Sequence, residues 1–218
     1  MHVLVTGATG TAGAAAVRRA AADSRVTHVT ALAPRPLSVT DPKLTVVEVT
    51  DFLDYRPIAA LLAGHDAALW CLGTSQNRVG REELHRITVE YAVAGAKALM
   101  AANPRIRFCH LSGAGADPTG SSRIGFAQEK GMAENALDAL GLAGLWHFRP
   151  GYIHPPALVA RPLLQDRVMW RLAPLVRRVA PRSMVDADVL GQAMLDVAAD
   201  RHPKHVLDNS DILAISAA

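Results

Sequence analysis

Three glycines near the start of the chain have the spacing of a phosphate-binding turn. Gly7, Gly10 and Gly13 stand between an apolar run and a helical pattern, in "HVLVTGATGTAGAAAVRRAAAD". The first glycine permits a tight turn, the second lets backbone amides approach a phosphate, and the third allows close helix–strand packing. A structural turn alone does not need all three, so GxxGxxG before a helix predicts a dinucleotide site. The other loop residues predicted to contact the cofactor are Thr9, Thr11 and Ala12.

The end of the second apolar run indicates which dinucleotide is bound. The stretch "ALAPRPLS" contains Arg35 and has no acidic residue before Asp41. Sites that prefer NAD place Asp or Glu here to bind the ribose 2′-hydroxyl, whereas a guanidinium can hold a 2′-phosphate with two hydrogen bonds. The sequence therefore predicts NADP(H), with NAD(H) as the less favoured cofactor. The alternative is that Arg35 is a solvated loop residue.

Two further turns follow apolar runs and are predicted to reach the same cofactor. In "VEVTDFLD", Asp51 could accept a hydrogen bond from the adenine amine, or cap the next helix, and the Phe52 backbone could contact the ring. In "CLGTS", a glycine and a hydroxyl come to the edge where open α/β sheets bind ligands. The residues predicted to contact the cofactor there are Leu72, Gly73 and Thr74.

Short apolar runs alternate with helical patterns over the first two thirds of the chain. Continuously apolar strands are typical of parallel strands buried on both faces, and alternation with helices predicts βαβ units in a doubly wound, Rossmann-type sheet. The predicted strands are 2–6, 26–33, 45–49, 67–72, 107–111 and 145–149. The predicted helices are 11–22, 55–63, 81–102 and 123–140.

The pattern changes after Pro150. Four prolines in "RPGYIHPPALVARPLLQD" predict a turn-rich connection, followed by helices at 162–178 and 185–199 and an edge strand in "HVLDN". We therefore expect one domain over 1–218, with a small C-terminal lobe on the substrate side of the cofactor at 151–200.

Composition limits the partners and the location. The chain has 218 residues and a net charge of only +3, which argues against nucleic acid or an anionic membrane as a partner. Cys71 and Cys109 lie inside apolar runs and are expected to be reduced, no apolar run reaches the ~20 residues of a membrane span, and the first strand begins too early for a signal peptide. No metal-ligand spacing occurs. We expect a cytoplasmic monomer or homodimer that acts on a small molecule.

Several segments, in this order, resemble the atypical short-chain dehydrogenases/reductases. The segments are "VTGATGTAG", "DFLD", "GHDAALWCLGTS", "LSGAGADP", "FAQEKGMAE" and "FRPGYI". The resemblance extends over about residues 2–212. It implies an NADP-binding Rossmann fold with the substrate pocket over the nicotinamide, roofed by the C-terminal segment. It also implies oxidoreductase activity on a small carbonyl or related substrate, with cofactor contacts at Pro150, Gly151 and Tyr152.

The catalytic set implied by the resemblance is only partly present. The family uses a serine with a YxxxK pair, in which the tyrosine exchanges the proton and the lysine holds the nicotinamide ribose. Lys130 matches the lysine, but the tyrosine position is Phe126, which has no proton to give. Two adjacent serines are common in the family and the pair here is Ser112-Gly113, so Ser112 is a candidate for the catalytic serine.

Other hydroxyl groups could take over the missing role. Ser121 or Ser122 could substitute for the serine from a loop, and Tyr152 is the candidate to replace the tyrosine, although it could simply pack in the roof of the cofactor site. Two hypotheses therefore stay open. One is an NADPH-dependent reductase with a modified acid, and the other is a non-catalytic NADP(H)-binding redox sensor or interaction protein.

Overall fold

A parallel sheet of seven strands forms the centre of the computed structural model, which describes residues 1–156 and 164–217. In chain order the strands are β1 (His2–Thr6), β2 (His28–Ala33), β3 (Leu44–Glu48), β4 (Ala67–Trp70), β5 (Arg107–Leu111), β6 (Gly144–Arg149), β7 (Tyr152–His154), β8 (Met184–Asp186) and β9 (Val206–Asp208). The order across the main sheet is β3-β2-β1-β4-β5-β6-β9, while β7 pairs with β8 in a separate small sheet. This arrangement confirms the predicted doubly wound Rossmann fold.

Helices connect the strands and cover both faces of the sheet. They are α1 (Thr11–Ala22), α2 (Ala59–Leu62), α3 (Arg81–His85), α4 (Tyr91–Ala102), α5 (Gly125–Asp138), α6 (Leu164–Val179), α7 (Ala187–Asp200) and α8 (Asn209–Ile215). A π-helical turn, Arg86–Glu90, joins α3 to α4, so the helix predicted at 81–102 is continuous but contains this turn. The helix predicted at 55–63 is a 3₁₀ turn at Arg56–Ile58 followed by the single turn of α2.

Alternate residues of each central strand enter different hydrophobic cores. Val3 and Val5 point into the core shared with α1 and α7, whereas Leu4 between them points into the core shared with α2 and α4. All three are fully buried. A strand with both faces covered must be apolar at every position, which explains why the sequence shows continuous apolar runs.

The segment predicted as a C-terminal lobe contains two different parts. β7, α6 and β8 form an excursion from the main sheet, whereas α7 packs against α1 within the helical layer. The turn-rich connection predicted there extends into residues 157–163, which lie outside the described residues. The predicted edge strand is β9, which pairs in parallel with β6. Within the described ranges, no helix combines the length and apolar character needed to cross a bilayer.

Candidate cofactor site and active site

The glycine turn lies where the strand order reverses, between β1 and β4. Gly7 follows β1 with a φ of 69°, and a Cβ atom on it would lie 2.5 Å from the Cys71 carbonyl oxygen. A Cβ atom on Gly13 would lie 2.2 Å from the Gly7 carbonyl oxygen. The fold itself therefore needs glycine at these two positions, because the turn packs against the end of β4 and against α1.

Gly10 differs from its two neighbours in the pattern. Only the Gly7 carbonyl oxygen, at 3.3 Å, lies within 4 Å of the place where a Gly10 Cβ atom would be. Gly10 is exposed and directly precedes α1, whose start has no side-chain cap and no acidic residue in its first turn. The first backbone N–H groups of a helix bind anions well. This open, uncapped helix start fits a pyrophosphate group.

The end of β4 faces the same crevice. The Leu72 backbone N–H donates to Thr6 Oγ1 at 3.2 Å, which fixes the end of β4 against β1. Gly73 is exposed and Thr74 is half-buried. A Cβ atom on Gly73 would lie 3.9 Å from Lys130 Nζ. The structure thus brings the predicted ribose-binding turn and the predicted lysine together.

Lys130 is a buried lysine at the centre of this edge. Its Nζ donates to the Leu111 carbonyl oxygen at 2.7 Å and lies 6.0 Å from the centre of the Phe126 ring. Burial lowers the pKa of Lys130 to about 8, although Glu134 and Cys71 act in the opposite direction. Near neutral pH this side chain is a cation that releases its proton more easily than an ordinary lysine.

Phe126 and Gly113 lie against each other. The Cε1 and Cζ atoms of the Phe126 ring lie 3.0 and 3.1 Å from the place where a Gly113 Cβ atom would be. The Phe126 backbone N–H donates to Gln76 Oε1 at 3.0 Å, which ties the start of α5 to the loop after β4. The Phe126 ring therefore packs over the backbone at Gly113.

Ser112 is bound to a buried ion pair. Its Oγ donates to Glu134 Oε1 at 2.5 Å, and Arg149 Nε donates to the same oxygen at 2.9 Å. Burial would raise the pKa of Glu134, but the hydrogen bonds from Arg149 and Ser112 outweigh it, and the pKa lies below its ordinary value. The hydroxyl proton of Ser112 therefore points to Glu134, and a catalytic role for Ser112 stays a prediction.

The two loop serines hold a turn. Ser121 Oγ donates to Asp117 Oδ2 at 3.1 Å, and Ser122 Oγ accepts from the Ile124 backbone N–H at 3.1 Å. Hydrogen bonds led by the one from the Thr119 side chain lower the pKa of Asp117 to about 2. Both serines thus have structural partners in the loop that precedes α5.

The end of β6 is fixed beside the end of β5. The Ala114 backbone N–H donates to the Pro150 carbonyl oxygen at 2.9 Å. The Gly151 backbone N–H donates to Asn209 Oδ1 at 2.8 Å, and a Cβ atom on Gly151 would lie 2.1 Å from the Ser183 carbonyl oxygen. Tyr152 follows on β7, half-buried. Its contact with a nicotinamide stays a prediction.

Three polar residues that support this region were missed in the sequence. Glu134 and Arg149 form the ion pair that holds Ser112, and Asn209 joins Gly151 to the Arg182 and Met184 carbonyl oxygens. They are far apart in the sequence, so no local spacing points to them. The only sequence feature that these three residues have in common is a polar side chain beside apolar positions that are buried in the structure.

Three residues predicted to contact the cofactor follow β2 and β3, at the other end of the crevice. Arg35 is exposed in the turn after β2. Asp51 Oδ1 accepts from the Leu53 backbone N–H at 2.9 Å and so closes a turn, whereas the next helical element begins at Arg56 without a side-chain cap, so the alternative that Asp51 caps the next helix is wrong. Phe52 is buried, with its ring 5.7 Å from that of Tyr91.

Comparison with known proteins identifies the family. The sequence profile of a family described as NAD(P)H-binding matches residues 7–152, which is more than half of the chain. The chain belongs to this family. Protein HTATIP2 of Rattus norvegicus is 29% identical over 153 residues, which are 69% of this chain. The chain spans only 62% of the length of that relative. Together these matches confirm the predicted NAD(P)-binding family.

Solved structures share the fold of this NAD(P)H-binding protein at low sequence identity. The enzyme WbmH of Bordetella bronchiseptica, solved with NAD+, has a TM-score of 0.68 at 17% identity, covering 94% of this chain and 73% of that chain. A short-chain dehydrogenase/reductase superfamily protein of Agrobacterium tumefaciens with bound NAD has a TM-score of 0.67 at 16% identity, covering 98% and 81%. A thiolation-reductase di-domain from an archaeal non-ribosomal peptide synthetase has a TM-score of 0.72 at 12% identity, covering 95% and 55%.

Proposed function

We propose that this chain is an NADP(H)-dependent oxidoreductase that acts on a small carbonyl compound or a related substrate through a modified active site. The position of Lys130 carries the proposal, because its buried Nζ faces Gly73 after β4 and bonds to Leu111 at the end of β5. An ammonium group there can bind the ribose hydroxyls next to a nicotinamide. When bound, the dinucleotide supplies the hydride, and the protein must supply position and a proton.

We infer NADP(H) rather than NAD(H) from the turn after β2, where Arg35 is exposed and no acidic residue precedes Asp41. Arg35→Ala should weaken NADPH binding more than NADH binding, by roughly 1.5–3 kcal/mol for a lost charge-assisted contact. Fluorescence titration with both cofactors tests this, with Arg105→Ala, an exposed arginine before β5, as the matched control. Equal losses for the two cofactors would remove Arg35 from the site.

The proton must come from a group other than Phe126. Tyr152, Ser112 and a bound water remain candidates, but the Ser112 hydroxyl already donates to Glu134. Lys130 is a further source, because burial lowers its pKa to about 8. Its ammonium group would give a proton, directly or through a water, to the substrate oxygen that becomes a hydroxyl. The neutral amine could still donate an N–H to Leu111 and would regain the proton from solvent.

The second candidate function is a non-catalytic NADP(H)-binding sensor or interaction protein. The contact between Phe126 and Gly113 favours it, because two positions that could carry reacting hydroxyl groups instead pack against each other. In this role Lys130 would be retained only for ribose binding. Fold and cofactor binding alone do not establish activity.

Turnover and binding, measured on the same samples, distinguish the two candidates. NADPH oxidation is followed with a panel of aldehydes, ketones and diketones, and NADPH binding is followed by fluorescence. Turnover that disappears in Lys130→Met but persists in Lys97→Met, an exposed lysine on α4, supports the oxidoreductase. Tight binding of NADPH without oxidation by any carbonyl supports the sensor.

We infer a cytoplasmic location from the state of the two cysteines. Cys71 and Cys109 are both free and buried. Burial raises the pKa of the Cys71 thiol to about 12, so this thiol stays protonated and unreactive. Two unpaired, inert thiols are typical of a protein of a reducing compartment.

A further inference from the structure

Helix α6 has a stripe of exposed apolar side chains. The 16-residue helix Leu164–Val179 leads from the region after β7 towards β8. Val168, Leu172 and Val179 are 47%, 44% and 75% exposed. They follow one another by four and seven residues, a spacing that places side chains on one side of a helix. Single exposed apolar residues are ordinary, but an aligned set of three marks a contact surface.

A second stripe, of arginines, runs beside the first. Arg167, Arg171 and Arg178 are exposed, and each stands one position before a member of the apolar stripe. None of the three forms an ion pair within the ranges that the structure describes. The helix contains four arginines and a single acidic residue, Asp166. It therefore carries as much net positive charge as the whole chain, whose net charge is +3.

From these two stripes we propose that α6 docks reversibly on the surface of an anionic lipid bilayer. The apolar stripe would enter the headgroup region while the arginines bind lipid phosphates and carboxylates. A small molecule would need a concave site, whereas paired stripes along one exposed helix fit an extended surface. The expectation of no membrane partner rested on the net charge of the whole chain. That average hides the concentration of charge on this helix.

The charge requirement is tested with vesicles of phosphatidylcholine alone and vesicles that also contain phosphatidylserine at about 30 mol%. The full chain should sediment with the anionic vesicles only, and less so as salt screens the attraction. Arg167→Glu combined with Arg171→Glu should lower the partition coefficient at least about tenfold. Lys97→Glu combined with Arg105→Glu is the matched control, because it changes the net charge equally at exposed positions outside α6.

The apolar requirement has its own variant and an internal probe. Leu172→Asp should reduce vesicle binding, whereas Leu61→Asp, at a comparably exposed leucine of α2 that is 36% exposed, should not. Trp70 and Trp146 are 1% and 3% exposed, but Trp170 on α6 is 38% exposed. Trp170 lies on the side of α6 opposite the apolar stripe, so its emission should change little, whereas Leu172→Trp in a Trp170→Phe background should shift to the blue with anionic vesicles.

Circular dichroism, thermal melting and NADPH affinity should be native in every variant, because none of these residues belongs to the cofactor site. A natively folded chain that does not bind anionic vesicles at low salt overturns the proposal. Equal losses in the two charge-reversed pairs would also overturn it, because the attraction would then not be specific to α6. Self-association that Leu172→Asp abolishes, without vesicle binding, would overturn it in favour of a second copy of the chain as the partner.

Discussion

The two ends of the candidate site differ in what they are built from, backbone turns at the cofactor end and a side-chain contact at the reaction end. At the cofactor end, Gly7 and Gly13 are needed for packing, and Gly10 leaves open space in front of an uncapped helix. At the reaction end, the Phe126 ring lies against Gly113. Binding depends on backbone geometry, whereas proton transfer depends on side-chain hydroxyl groups. A substitution can therefore alter the chemistry at the reaction end while the geometry of the cofactor end stays the same.

Phe126→Tyr should have the largest effect on activity, because it adds a hydroxyl group at the reaction end of the site. The new hydroxyl would be attached to Cζ, which lies 3.1 Å from the place where a Gly113 Cβ atom would be, near the end of β5. The nearby Lys130 ammonium would favour the phenolate. NADPH-dependent reduction of diketones, which should be slight in the natural protein, is expected to rise by ~10²–10⁴-fold. The decrease in NADPH absorbance measures it.

Phe126→Leu is the control for that experiment, because it disturbs the same ring without adding a hydroxyl, and it should show no gain. If the natural protein already reduces diketones well and Phe126→Tyr changes nothing, the proton comes from elsewhere. Tyr152→Phe and Ser112→Ala would then be the variants to assay.

Gly10→Val tests the cofactor end. A branched side chain would fill the open space in front of α1, where phosphate contacts would be lost, and NADPH affinity should fall by about 100-fold or more. The new Cβ atom would meet only the Gly7 carbonyl oxygen, at 3.3 Å, so we expect a small adjustment of the turn and an otherwise intact fold. Calorimetry measures the affinity, with Gly64→Val, whose nearest contact is 3.9 Å, as the control. Unchanged affinity in a folded variant would mean that the glycine turn is only structural.

The same contrast explains what the sequence could and could not predict. Runs such as 2–6 and 107–111 were predicted with correct bounds, because strands buried on both faces are apolar throughout. The glycine turn was equally visible, since its function depends on spacing within one segment. The contact between Phe126 and Gly113 was not, because it joins two segments through the packing of a single ring. Nor was the π-helical turn at Arg86–Glu90, which leaves the helical periodicity nearly unchanged.

Lys130 lies where the two ends meet, and its titration gives the smallest of the expected effects on cofactor binding. Its pKa of about 8 is below the ordinary value because the ammonium group is buried. Without cofactor, the protein should gain stability as pH rises from about 8 towards 10.5, since the unfolded chain then holds a proton that the folded chain has released.

The opposite trend is expected for cofactor binding over the same pH range. The ammonium group binds a ribose hydroxyl more strongly than the neutral amine does, so NADPH affinity should fall by about tenfold as pH rises through the pKa of Lys130. Fluorescence titration at a series of pH values measures this, and Lys130→Met should bind more weakly with a flat profile. Lys97→Met should keep the natural slope, because that lysine is exposed on α4. A slope that persists in Lys130→Met would assign the titration to another group, and unchanged affinity in that variant would leave Lys130 without a part in binding.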